Sequence, residues 1–109
     1  ETLGAPVPPE LLGSTIALLE RSGQGEEAGR LASGIGQPTL LANPGLCSAV
    51  VRVKCRQGDV ESAVELLEVC IREDVSVARA SYDAAILALS SAGEAAKAEE
   101  VLEWRDYLG

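Results

Sequence analysis

Residues 58–67, Gly58-Asp59-Val60-Glu61-Ser62-Ala63-Val64-Glu65-Leu66-Leu67, decide the reading of this chain, because their pattern returns 35 residues to either side. Gly23, Gly58 and Gly93 recur at that interval, and each is followed five positions later by an alanine, Ala28, Ala63 and Ala98. Apolar character recurs in the same register at Leu12, Cys47 and Tyr82, at Ile16, Val51 and Ile86, and at Leu31, Leu66 and Val101. A glycine column, an alanine column and several apolar columns in one register are an internal repeat.

The spacing within each unit is helical. Tyr82, Ala85, Ile86 and Leu89 follow i, i+3, i+4, i+7, as do Val60, Ala63, Val64 and Leu67, with Ile71 one turn on. The column glycine falls between two such stretches, where a residue able to take a positive φ ends the first helix. Asp59 or Glu94 then favours the N-terminus of the second. Two helices joined by so short a turn pack antiparallel, and the column alanine lets them cross closely. The expected fold is all-α, an α-solenoid of antiparallel helix-turn-helix repeats with a 35-residue period.

Four segments follow. Residues 1–8 read as an extended lead-in. Residues 9–43 form a degenerate first unit, in which Gly34, Gly36 and Pro38 should end the second helix early and leave an irregular connection. Residues 44–78 form the second unit, opened by Asn43 as N-cap and Pro44 at the first helical position. Residues 79–109 form a truncated third. At 109 residues the chain is short for a complete solenoid, so the expectation is a piece of a longer array.

Composition agrees. Apolar residues make up 47% of the chain and aromatics 3%, so the core must be Ala, Leu, Val and Ile, which suits close helix packing. No apolar run is long enough to span a bilayer, and residues 1–9 have neither the basic region nor the apolar run of a signal peptide. Cys47, Cys55 and Cys70 lack C-x-x-C spacing and there is no His, which argues against a structural metal and for small buried apolar residues. Without His, a Gly-rich phosphate loop or a nucleophile elbow, no catalytic constellation is legible, and no cofactor is expected.

Ser81-Tyr82-Asp83-Ala84-Ala85-Ile86, Gly93, Ala98 and Val101-Leu102, together with the Gly58–Leu67 stretch, resemble the pentatricopeptide repeat family over about residues 9–109. Cys47 departs from the family's usual Tyr. The related tetratricopeptide pattern has a 34-residue period and an aromatic-rich signature, and this chain has no Phe. The resemblance implies a module that binds single-stranded RNA in mitochondria or plastids, one base per repeat, through side chains of the first helices.

The family's base-reading positions fall on Gly13 with Asn43, on Ser48 with Ala78, and on Asp83. Gly13 and Ala78 have no hydrogen-bonding side chain, and Asn43 also fits the simpler role of helix cap. The family's basic position before the turn falls on Arg21 and Arg56, where an arginine equally complements the helix dipole. Lys54 occupies the column of Leu19 and Leu89, so either its stem runs past the core or the packing opens there toward a partner. Trp104 and Tyr107 are candidates for contact with a further repeat or a neighbouring protein.

Net charge is −8, which opposes binding to a polyanion. Its distribution is uneven. First helices counted as 9–22, 44–57 and 79–92 carry five basic residues, Arg21, Arg52, Lys54, Arg56 and Arg79, against Glu10, Glu20 and Asp83, for +2, which leaves −10 elsewhere. Two readings follow from these features: an RNA-binding module, carried by the resemblance and the mildly basic layer, or a protein scaffold within a larger organellar complex, carried by the overall acidity and the poor reader positions.

Overall fold

Gly23, Gly58 and Gly93 take the left-handed conformation, at φ 80°, 81° and 80°, and each closes a helix in the same way. The glycine N–H reaches the carbonyl three residues back and the next N–H the carbonyl five back, as in Asp59 N to Lys54 O at 2.9 Å and Glu94 N to Leu89 O at 2.9 Å. This is the Schellman termination, which needs φ > 0 at one residue and therefore favours glycine. In the computed structural model, which describes residues 9–108, seven helices are built around these turns. They are α1 (Pro9–Arg21), α2 (Gly25–Ser33), α3 (Gln37–Ala42), α4 (Pro44–Arg56), α5 (Val60–Arg72), α6 (Arg79–Ser91) and α7 (Ala95–Leu108). No strand occurs among the described residues, and the lead-in expected over residues 1–8 lies outside them.

The hairpins α1/α2, α4/α5 and α6/α7 each pack on themselves, and α4 lies between α1 and α6, so the first helices form one continuous layer. Its central position explains the composition of α4. Leu46, Cys47, Ser48, Ala49, Val50, Val51 and Val53 are all buried, because neighbours enclose the helix on nearly every side. The alanine column lies inside the core: Ala28 and Ala63 are fully buried and Ala98 nearly so. Ile16, Val51, Leu67 and Val101 complete a core without phenylalanine. The radius of gyration, 13.7 Å, is close to the ~13 Å of a compact chain of about 100 residues.

Two local expectations are corrected. The connection after Gly34 is not irregular: Pro38, in the first turn of α3, starts a short helix that buries Leu40 against the core. Asn43 precedes α4 but does not cap it with its side chain. Its Nδ2 instead donates back to the Thr39 carbonyl at 2.8 Å, so the amide ties α3 to the start of α4. Asp59 does act as the cap of α5, its Oδ1 accepting from Ser62 N at 3.4 Å.

Candidate nucleic-acid interface

The first-helix layer carries a groove of about 470 Å³ between α1 and the start of α4. Gly13, Ser14 and Ala17 form one wall, and Asn43, Ala49 and Arg52 belong to the other. Gly13 faces Leu46 across this contact, and a Cβ there would lie 3.7 Å from Leu46 Cα, an ordinary van der Waals distance that an alanine would fill. Arg52 is half-buried at this groove and has no ion-pair partner among the described residues. Asn43 has its amide nitrogen committed to Thr39, which leaves Oδ1 as the acceptor it presents.

The other two reader positions are engaged within the fold. Ser48 is 4% exposed. Its hydroxyl donates to Pro44 O at 3.0 Å and accepts from Ala78 N at 2.8 Å, while its carbonyl accepts from the Ser81 hydroxyl at 3.2 Å. The serine pair thus joins α4 to the entry of α6, and the Ser48 side chain has no free edge to offer a base. Asp83 is half-exposed but paired: Arg105 Nη1 donates to its Oδ1 at 2.8 Å. Arg105 was not singled out in the sequence, because nothing in the spacing of residues 83 and 105 reveals a contact between the two helices of a hairpin.

The basic residues of the first helices are divided among different surfaces. Arg56 Nε lies 3.3 Å from Glu20 Oε2, an oxygen sealed from solvent that depends on this ion pair. Lys54 faces away from Arg52, since two residues along a helix turn the side chain by about 200°. It lines a separate groove of about 520 Å³ beside Leu40, Leu66, Glu65 and Glu68. Its stem therefore runs along apolar surface into acidic surroundings. Arg21 is exposed in the last turn of α1, and Arg79 Nη2 lies 3.9 Å from Asp106 Oδ1. Of the basic candidates, Arg52 alone lines the α1–α4 groove.

Trp104 is half-buried against the core, whereas Tyr107 is 89% exposed. Leu87, at 69%, and Leu102, at 37%, share that exposure and were not singled out in the sequence. The repeat column contained the signal: Leu102 stands 35 residues after Leu67, which is fully buried between neighbouring helices.

Burial pushes the Cys55 thiol from its ordinary 9.0 up to about 11. Cys47 and Cys70 are fully buried side by side. No group of three or more His, Cys, Asp or Glu arranged to hold a metal occurs among the described residues, and no helix among them is long and apolar enough to cross a membrane. Comparison with protein-family models, curated proteins and solved structures finds no match for this chain.

Proposed function

We propose that this chain is a helical-repeat binding module of the pentatricopeptide type, a short α-solenoid whose first-helix layer engages single-stranded RNA. The observation that carries this reading is the α1–α4 groove, which is lined by both Arg52, unpaired among the described residues, and Asn43, whose Oδ1 remains free to accept. A guanidinium there meets a phosphate oxygen, and the acceptor meets a base or sugar donor. Affinity comes chiefly from phosphate neutralisation. Sequence discrimination is weak, because Gly13 contributes no side chain, Ser48 is enclosed and Asp83 is clamped by Arg105. Such a module contributes to RNA metabolism as part of a longer array, and the resemblance assigns it to a mitochondrion or plastid. The test is a filter-binding titration with short single-stranded RNAs at low and physiological salt. Binding that falls steeply with salt supports the reading, and no binding at either salt sinks it.

A second reading, a protein-contact scaffold or accessory subunit of a larger complex, is favoured by one set of observations. Leu87, Leu102 and Tyr107 expose apolar surface at the α6/α7 end, and the designated reader side chains are engaged internally. Under this reading the RNA titration is flat at both salts, and Leu102→Glu abolishes co-purification with a partner subunit while Arg52→Glu leaves it intact.

A further inference from the structure

Cys47 on α4 and Cys70 on α5 hold their Sγ atoms 3.0 Å apart, and neither residue has any solvent exposure. A disulfide bond spans about 2.05 Å, so closing one here takes an approach of about 1 Å, which small side-chain rotations supply. The two residues stand on opposite helices of one hairpin and point at the same place in the core. Cys55, the third cysteine, is half-buried and belongs to no such pair. We propose that Cys47 and Cys70 are a disulfide-forming pair that staples α4 to α5 when the chain meets hydrogen peroxide.

The chemistry balances with that oxidant alone. The sulfur of one cysteine, as thiolate, attacks a peroxide oxygen; an S–O bond forms, the O–O bond breaks, and the departing hydroxide takes a proton to become water. The second sulfur then attacks the sulfenic sulfur, forming the S–S bond and releasing the S–O oxygen as a second water. Two thiols are oxidised by two electrons and one peroxide is reduced by two. The hydrogen bond between the two sulfurs, in which either can be the donor, lowers the pKa of Cys70 and, with burial, raises that of Cys47, which favours Cys70 as the first nucleophile.

Because both sulfurs are sealed, oxidant reaches them when the α4/α5 hairpin opens locally, and the finished bridge is shielded from reductant in the closed state. Oxidation is therefore slow in the native chain and faster in mild denaturant. The bridge fixes the hairpin that contains α4, the helix packed against most of the others, without changing a surface charge. The inference is independent of what the first-helix layer binds.

The test is to treat the folded chain with hydrogen peroxide, denature it, alkylate the free thiols and cleave with trypsin, which places the three cysteines in the separate peptides 31–52, 55–56 and 57–72. The expected result is that peptides 31–52 and 57–72 appear as one species that separates on reduction, with a thermal midpoint several degrees above that of the reduced chain. Cys55→Ser should form the same linked species in the same yield. Recovery of the two peptides unlinked, whether alkylated or carrying sulfinic acid, overturns the proposal, as does a link that needs Cys55.

Discussion

Arg105 Nη1 on α7 lies 2.8 Å from Asp83 Oδ1 on α6, and the same guanidinium reaches Asp106 Oδ1 at 3.1 Å, so one arginine neutralises a carboxylate of each helix in the hairpin. The hydrogen bonds to Asp83 and Asp106 raise the pKa of Arg105, in keeping with a charge held between two acids. Replacing Arg105 by Ala is expected to lower the thermal midpoint slightly, and the deficit should shrink as salt is raised, because half-exposed ion pairs are screened. The substitution also frees a negative charge on the first-helix layer, so RNA affinity should fall with it. Thermal melts at low and high salt check the first expectation; a deficit that does not depend on salt would point to lost packing of the arginine stem instead.

Ser48 offers a contrast, because its bonds lie inside the molecule. Ser48→Ala removes the acceptor for Ala78 N and leaves that donor to find water at the mouth of α6. The expected cost is about 1 kcal/mol, read as a lower urea midpoint with an unchanged slope. RNA binding measured well below that midpoint should stay at the wild-type level. A selective loss of RNA binding by a stably folded Ser48→Ala chain would mean that the hydroxyl reads a base after all.

The left-handed residues predict changes of opposite sign. Gly58 sits at φ 81° with open space around its Cα, so Gly58→Ala should destabilise by about 1–2 kcal/mol through backbone conformation alone. Asp74 ends α5 with the same pattern of bonds at φ 59°, but with a side chain, and with a negative charge at the unfavourable end of the helix. Asp74→Gly should therefore stabilise by about 1 kcal/mol. Urea unfolding of the two variants measures both signs, and a stabilised Gly58→Ala would contradict the turn geometry.

Stability should decline in alkali. The Cys55 thiol titrates at about 11 in the folded chain, above its ordinary 9.0, because burial disfavours the thiolate. A folded pKa raised in this way contributes stability that is fully present below pH 9 and is lost as pH rises through about 11. Burial shifts the Tyr82 hydroxyl in the same direction. The urea midpoint should thus be level up to about pH 9 and fall above it, less steeply in Cys55→Ser; a midpoint that rises across this interval would contradict the assignment.

The helix pairs were legible because each depends on local chemistry. A glycine at φ near 80° leaves a mark in sequence, and Gly23, Gly58 and Gly93 stand at three hairpin turns. The end of α2 at Gly34 was legible for a related reason, since glycine pairs do not continue a helix. The helix α3 is hard to see in the sequence because Gly36 and Pro38 interrupt the helical pattern, although proline in a first turn also starts helices. The site was less legible. Whether Ser48 faces a groove or a neighbouring helix depends on where α6 enters, and whether Asp83 is free depends on a residue of the next helix. The net +2 of the first helices likewise concealed how their basic residues divide: Arg52 at the α1–α4 groove, Arg56 on Glu20, Lys54 in a separate groove. Charge counted along a helix does not reveal which face it occupies.

The α1–α4 groove as a phosphate-binding surface is tested most directly by titrating one short single-stranded RNA into the wild-type chain and into Arg52→Glu across a range of salt concentrations. The account predicts that log affinity of the wild type falls linearly with log salt, and that Arg52→Glu binds more weakly at low salt with a slope shallower by about one. Superimposable curves for the two chains, or no binding by the wild type even at low salt, would contradict it.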